Sequence, residues 1–130
     1  MLLEDNEIIA RLLSTLLKNQ GLHVVWAGLG LEGLRQFDLQ PERFALVVSD
    51  CRLPDIDGRE VCHQLLQRFP ELPVLLTSGR VIPDGLAPLT AGPRVQFLPK
   101  PYSPSELVAR VKAMVGPGAR GGQMTFAGFV

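Results

Sequence analysis

Runs of apolar and β-branched residues alternate with amphipathic segments along the chain, and this alternation limits the folds that are open to it. A continuous apolar run indicates a strand that is buried on both faces, and FALVVSD is the clearest example. Strands that alternate with helices predict an α/β domain built on a parallel sheet. The predicted strands lie in MLLED, LHVVWA, FALVVSD, PVLLTS and RVQFLPKP.

The segments between these strands carry helix signals. In NEIIARLLSTLLKNQG the apolar residues recur at helical spacing, and Gly21 stands where that helix would end. The last helix, in SPSELVARVKAMV, begins with Ser103, Pro104 and Glu106 arranged as a capping box. Weaker helices are predicted in GLEGLRQFDLQ and GREVCHQLLQRFP. The segment 79–93 contains three prolines and three glycines, so it should hold only a short or irregular helix.

The composition is that of a globular domain without a strong charge preference. Hydrophobic residues make up 46% of the chain, and 13 basic residues balance 13 acidic ones. The balance gives no support for binding to nucleic acid or to a membrane surface. No apolar run reaches the roughly 18 residues that a membrane span needs. The first residues lack a basic, then apolar, then small-residue pattern, so we do not expect secretion. We therefore expect a cytoplasmic domain with no membrane or nucleic-acid contact.

The two cysteines, Cys51 and Cys62, have no histidine partners at zinc-site spacing. They are predicted to be free thiols in a reducing compartment. Because Cys51 adjoins Asp50, we expect it to be accessible to oxidants.

Polar side chains follow the predicted strands. Ligands of open parallel sheets bind beyond the carboxyl ends of the strands, so these side chains should meet at one edge. Carboxylates gathered in one cleft repel each other, and one would be protonated unless a cation neutralises them. The residues are Glu4 and Asp5 after the first strand, Asp50 after the third, Thr77 and Ser78 after the fourth, and Lys100 after the fifth.

Lys100 can neutralise part of this negative charge, and a divalent cation can neutralise more. Mg²⁺ prefers carboxylate and carbonyl oxygens together with retained waters. A metal, a lysine and a hydroxyl also meet the needs of a phosphoryl group in transfer, whose oxygens require positioned cations and donors. Carboxylates accept phosphoryl groups as acyl phosphates. Asp50, with the metal on one side and Lys100 on the other, is the best-placed acceptor.

This ordered set of residues resembles the receiver domain of two-component response regulators. The resemblance covers residues 2–115 and rests on the acidic pair, on DCRLPDIDG beginning at Asp50, on the hydroxyl after strand four and on Lys100–Pro101. It implies an α/β, flavodoxin-like, doubly wound sheet of five parallel strands in the order 2-1-3-4-5, with helices on both faces.

The resemblance also implies a role for each site residue. Asp50 would be phosphorylated, and Lys100 would bridge it to a phosphoryl oxygen. Mg²⁺ would be bound by Asp5 directly, by Glu4 through a water, by Asp50, and by the backbone carbonyl of Arg52. Asp55 and Asp57 are interpreted as loop carboxylates without a chemical role.

A switch hydroxyl is expected at the end of the fourth strand, and two residues compete for it. The sequence LLTSG resembles family variants in which serine precedes glycine, so we favour Ser78 as the switch hydroxyl, with Thr77 pointing into the core on the alternate face. Phe97 matches the aromatic residue whose rotamer reports activation. The Lys100–Pro101 bond resembles one that is cis in the family.

The function implied is that of a phosphoacceptor signalling domain rather than an enzyme with an external substrate. It would take a phosphoryl group from the phosphohistidine of a histidine kinase or phosphotransfer protein and shift between two states. The alternative is a receiver-like module that docks partners without phosphorylation. A phosphohydrolase would need a general acid near Asp50, and Arg52 cannot give up its proton.

The chain is expected to divide into a receiver domain at 1–115 and a glycine-rich tail or linker at 116–130. We expect no DNA-binding segment within this short tail. We therefore expect either a stand-alone domain or one that is fused to other domains in a hybrid sensor kinase or a larger regulator.

Overall fold

A parallel sheet of five strands forms the centre of the domain. The computed structural model describes residues 1–4, 6–79 and 94–115. The strands are β1 (Leu2–Leu3), β2 (Trp26–Ala27), β3 (Val47–Asp50), β4 (Val74–Ser78) and β5 (Val95–Pro99). Their order is β2-β1-β3-β4-β5, and each pairing is parallel. The connections change direction between β1 and β3, which is where doubly wound sheets bind their ligands.

Helices cover both faces of this sheet. Those described are α1 (Glu7–Lys18), α2 (Gly30–Leu39), α3 (Gly58–Arg68) and α4 (Pro104–Val115), together with a short 3-10 helix (Pro41–Arg43). Helix α1 packs against α4, and α2 packs against α3. The predicted flavodoxin-like, doubly wound sheet with the strand order 2-1-3-4-5 is confirmed.

Strand β3 is buried along its whole length because it lies between β1 and β4 and under helices. Val48 pairs with Leu2 on one side and with Leu75 on the other. The polar residues Ser49 and Asp50 are buried as well. The continuous apolar run therefore carries the chain through the core and ends with an aspartate at the carboxyl edge of the sheet.

The ends of the helices follow the sequence signals. The Asn6 side chain caps α1, since its Oδ1 accepts hydrogen bonds from the N–H groups of Ile8 and Ile9. Gly21, just beyond α1, adopts a φ of 84°, in the left-handed region that favours glycine. The capping box of α4 is confirmed, because Ser103 Oγ accepts the Glu106 N–H and Glu106 Oε1 accepts the Ser103 N–H.

The helical pattern predicts α1 correctly but does not say which apolar residues face the core. Ala10, Leu13 and Leu17 are buried. Ile8 and Leu12 lie on the outer side, with Ile8 81% exposed. The helix thus has more apolar positions than one core-facing stripe can bury.

One strand differs from the sequence-based expectation, and two predicted segments lie outside the described residues. Strand β2 is only two residues long, although LHVVWA predicts a longer strand. The predictions for the irregular segment 79–93, Gly79 apart, and for the tail 116–130 fall outside the described residues. None of the helices in the described part of the chain is long and apolar enough to cross a membrane.

Candidate functional site

Asp50 and Lys100 form an ion pair at the carboxyl edge of the sheet. Asp50 is the last residue of β3, and Lys100 directly follows β5. Lys100 Nζ lies 2.6 Å from Asp50 Oδ2. Asp50 is only 7% exposed, and the Lys100 side chain is 29% exposed. Partial removal from water strengthens the attraction between the two charges.

Glu4 brings a second carboxylate to the same lysine. It follows β1 and is buried, and its Oε1 lies 4.0 Å from Lys100 Nζ. Its Oε2 accepts the N–H of Asn6 over 3.0 Å, and its backbone carbonyl accepts the indole N–H of Trp26 over 2.8 Å. Asp5, predicted to be a metal ligand, lies outside the described residues.

Opposing effects act on the pKa of Lys100. Burial by itself would lower it, but the hydrogen bond to Asp50 and the negative charges of Asp50 and Glu4 outweigh burial and raise it above its ordinary value. Lys100 is therefore protonated at neutral pH. It supplies a fixed positive charge between two carboxylates.

The loop that follows Asp50 is tied back to the strand ends. The Arg52 N–H donates to Asp50 Oδ1 over 2.9 Å, and the Cys51 N–H donates to the Thr77 carbonyl over 2.9 Å. The Arg52 side chain itself is exposed. The Asp50 carboxylate thus accepts a lysine N–H on one oxygen and a backbone N–H on the other.

Gly58 is required by a close approach of helix α3 to this loop. A Cβ built at Gly58 would lie 2.0 Å from the carbonyl oxygen of Asp50 and 2.9 Å from Ser49 Oγ. The Gly58 N–H also donates to the Cys51 carbonyl over 3.1 Å. A side chain at position 58 would therefore displace the backbone of the predicted phosphoacceptor.

The two hydroxyls of β4 are both buried at the end of the strand. Thr77 lies opposite Asp50 in the ladder, and Ser78 is the last residue of β4, with its carbonyl accepting the Lys100 N–H over 2.7 Å. Phe97, opposite Leu76, is partly buried and packs against the core. The choice of Ser78 as the switch hydroxyl and the switch role of Phe97 stay predictions. The predicted cis Lys100–Pro101 bond is present.

Two loop carboxylates hold helix ends, a role that the sequence analysis missed. Asp57 caps α3 by accepting the Arg59 N–H, and the neighbouring Arg59 guanidinium lowers the pKa of its carboxyl group. Asp55 accepts the N–H groups of Gly30 and Leu31 at the start of α2. One sequence signal could have revealed the role of Asp55. Helix α2 is preceded by Leu29, whose side chain cannot cap a helix, so another residue had to accept the first N–H groups of α2.

The expectation that Cys51 is accessible to oxidants is wrong. The residue is only 6% exposed, and burial followed by the negative charge of Asp50 raises the pKa of its thiol to about 11. Cys62 is fully buried, which raises its pKa as well. Both cysteines are free, as predicted. A buried, protonated thiol reacts slowly, because the thiolate is the reactive form.

The donors at this edge suit a hard divalent cation. Residues 1–4, 6–79 and 94–115 contain no group of three or more histidine, cysteine, aspartate or glutamate side chains that could hold a metal. Within these residues, Glu4 and Asp50 lie on either side of Lys100. Asp5 follows Glu4 directly in the sequence. These side chains offer oxygen atoms as ligands, and together they carry more negative charge than one lysine neutralises. Both properties suit Mg²⁺.

Comparison with known proteins identifies the family of this chain. A family model described as the response regulator receiver domain matches residues 1–112. The chain belongs to the response regulator receiver family. Receiver domains generally bind Mg²⁺ at an acidic pocket.

Individual relatives agree with this assignment. The probable transcriptional regulatory protein TcrX of Mycobacterium tuberculosis is 33% identical over 116 residues, which is 88% of this chain and 48% of TcrX. The sensor protein TorS of Escherichia coli is 33% identical over 113 residues, or 87% of this chain and 12% of TorS. The non-phosphorylated HemR receiver domain from Leptospira biflexa aligns with a TM-score of 0.80 at 26% identity, covering 88% of this chain and 91% of that one.

This receiver domain thus matches one region of larger proteins. It spans about half the length of the transcriptional regulators and a smaller part of the sensor protein. The comparisons therefore describe a signalling domain, and they cover the region that contains β1 to β5.

Proposed function

We propose that this receiver domain is a phosphoacceptor and that Asp50 carries the phosphoryl group. The observation that supports this most strongly is the Lys100–Asp50 contact of 2.6 Å at the carboxyl edge of the sheet. A cation that already touches a nearly buried carboxylate is placed where negative charge would increase on phosphorylation. The same lysine would then bridge the carboxylate and a phosphoryl oxygen.

The reaction would be a transfer from a phosphohistidine. A carboxylate oxygen of Asp50 forms the new P–O bond as the P–N bond of the donor breaks, and the leaving imidazole nitrogen takes up a proton. The product is an acyl phosphate on Asp50. Lys100 donates a hydrogen bond before and after transfer, and the Arg52 N–H, now on Asp50 Oδ1, helps to orient the carboxylate.

The metal in this proposal is Mg²⁺. Asp5 and Asp50 would bind it directly, Glu4 through a water, and Arg52 through its backbone carbonyl. When bound, Mg²⁺ would neutralise charge on the transferring phosphoryl group. The carboxylates of Glu4 and Asp50 supply the negative charge that such an ion requires, with Lys100 between them.

The signal would pass through the end of β4 and through β5. We propose Ser78 as the switch hydroxyl, because it ends β4 and its carbonyl is bonded to the backbone of Lys100. Phe97 would move with it, since it is partly rather than fully buried.

The partner in this proposal is a histidine kinase or a phosphotransfer protein. The match to a small part of the sensor protein TorS supports a hybrid kinase as a setting for this domain. Two free cysteines fit the reducing cytoplasm. We further propose that residues 1–115 form the receiver domain and residues 116–130 a tail or linker.

Phosphorylation by a small-molecule donor tests this proposal. The wild-type chain is incubated with acetyl phosphate with and without Mg²⁺, and its intact mass is measured. We expect one phosphoryl group with Mg²⁺ and none for Asp50→Asn. Asp38→Asn, which alters an exposed aspartate paired with Arg68, should be phosphorylated like the wild type. A folded wild-type chain that binds Mg²⁺ without gaining mass would instead support the docking module.

A further inference from the structure

Asp55 joins the loop after the proposed phosphoacceptor to a helix that lies elsewhere in the chain. Its Oδ1 accepts the Gly30 N–H and its Oδ2 accepts the Leu31 N–H, each over 2.9 Å. We call these two hydrogen bonds the Asp55 latch. Because Leu29 offers no capping side chain, the latch satisfies backbone donors that α2 would otherwise leave to solvent.

Apolar contacts reinforce the latch at the same point. A Cβ built at Gly30 would lie 2.3 Å from Ile56 Cγ2 and 3.1 Å from Leu53 Cδ1. Helix α2 therefore begins directly against the loop, with no room for a side chain between them. The tip of the loop is held by two charge-assisted hydrogen bonds and by this close packing.

The latch fixes one end of a short segment whose other end is fixed at Asp50. At the strand end, the Arg52 N–H is bonded to Asp50 Oδ1, and the Cys51 N–H is bonded to the Thr77 carbonyl. Only three positions separate Arg52, which is held at the strand end, from Asp55, which forms the latch. Any shift of the tip would be transmitted along this short segment to the Arg52 peptide groups.

We propose that Asp55 is a positioning residue that sets the backbone carbonyl of Arg52 for the metal. The inference rests on the proposed function, in which that carbonyl is a ligand of Mg²⁺. Asp55 does not contact the metal. It acts by holding the loop against α2, so that the carbonyl is in place before the ion arrives.

The geometry demanded by the ion makes this role measurable. Mg²⁺ requires near-ideal octahedral ligands at short distances, whereas Ca²⁺ tolerates irregular sites. A loop that loses its position should therefore lose Mg²⁺ affinity more than Ca²⁺ affinity. The loss of one negative charge alone would weaken both ions alike, because both carry the same charge.

Calorimetric titration of the full chain with Mg²⁺ and with Ca²⁺ tests the proposal. Asp55→Ala should weaken Mg²⁺ binding about tenfold, the lower end for residues that orient metal ligands. Asp55→Asn keeps one oxygen acceptor without the charge, so it should preserve one of the two hydrogen bonds and restore part of the affinity. The matched control is Glu32→Ala, which removes a carboxylate from the first turn of α2. Among the described residues this carboxylate accepts hydrogen bonds from Arg35 and Gln36, which lie in the same helix.

The results separate the latch from the function on which it rests. A Mg²⁺-specific loss in Asp55→Ala that Asp55→Asn partly reverses, and that Glu32→Ala does not show, supports the latch. Two results would overturn the latch and leave the metal site intact. One is wild-type Mg²⁺ affinity in Asp55→Ala, and the other is an equal loss of Mg²⁺ and Ca²⁺ affinity in both Asp55→Ala and Asp55→Asn. A folded wild-type chain that binds no Mg²⁺ overturns the metal site and the latch together.

Discussion

Lys100 Nζ lies 2.6 Å from Asp50 Oδ2, although the two residues are 50 positions apart in the chain. The sheet order explains the contact, because Asp50 ends β3, Lys100 follows β5, and β4 runs between these two strands. The ends of parallel strands meet at one edge of the sheet. The pair is therefore a product of topology, and its energetic consequences can be measured.

The first prediction concerns the coupling between these two charges. Lys100→Met leaves the nearly buried Asp50 carboxylate without its cation and should lower the free energy of unfolding by about 2 kcal/mol. Asp50→Asn removes the charge that the lysine compensates. A double-mutant cycle in urea should therefore give a coupling energy of about 1–2 kcal/mol. A coupling energy of zero would contradict an ion pair in solution.

The second prediction concerns alkaline pH. The pKa of Lys100 is higher in the folded chain than in the unfolded chain, where it is about 10.4. The lysine therefore contributes its full stabilisation at pH values below the pKa of the unfolded chain, and this contribution is lost as the pH rises through the pKa of the folded chain. Tyr102 also titrates at alkaline pH, because burial raises the pKa of its phenol, and its titration would overlap that of Lys100. The comparison is therefore Tyr102→Phe against Tyr102→Phe/Lys100→Met, by urea unfolding at several alkaline pH values. The chain that keeps Lys100 should lose stability more steeply, and parallel curves would contradict the assignment.

The third prediction concerns Gly58. Gly58→Ala would place a Cβ 2.0 Å from the Asp50 carbonyl oxygen, so we expect a shift of the backbone. The cost should be about 2 kcal/mol, typical of an overpacked site. Gly28→Ala is the control, since its nearest heavy atoms would lie at an ordinary 3.8 Å. Thermal unfolding of both variants checks this, and equal midpoints would show that α3 is not so close to Asp50.

The fourth prediction concerns the cysteines. Cys51 and Cys62 are buried, and the Cys51 thiol has a pKa of about 11, so both should resist alkylation in the native protein at pH 8. Both should react at once in denaturant. Iodoacetamide labelling followed by intact mass measures this directly. Rapid labelling of Cys51 in the folded chain would restore the sequence-based expectation that it is accessible.

Local patterns in the sequence predicted much of the fold because they reflect local physics. The run that ends at Asp50 needed burial on both faces, and the Ser103–Glu106 capping box formed as its spacing required. Strand β2 is shorter than its β-rich sequence predicts. Its partner β1 is itself only two residues long, so the ladder between the two strands has two residue pairs.

The strand ends predicted which carboxylates, hydroxyls and lysine meet at one edge of the sheet, and the family resemblance added their roles, but the residues that support the site were not predicted. The position of Asp55 depends on how a loop meets a helix that begins 25 residues earlier, and sequence spacing carries no such information. The need for glycine at position 58 comes from the approach of α3 to Asp50, which is also a tertiary effect. The exposure of Cys51 was misjudged because it was inferred from a polar neighbour, whereas its surroundings bury it.

The central claim is that Asp50 is the residue that carries the phosphoryl group. Borohydride reduces an acyl phosphate of aspartate to homoserine, so the acceptor can be located by peptide mass mapping after reaction with acetyl phosphate and Mg²⁺. We predict homoserine at position 50 and unchanged aspartate at positions 38, 55 and 57. Homoserine at another position, or none in a chain that has gained a phosphoryl group, would contradict the assignment.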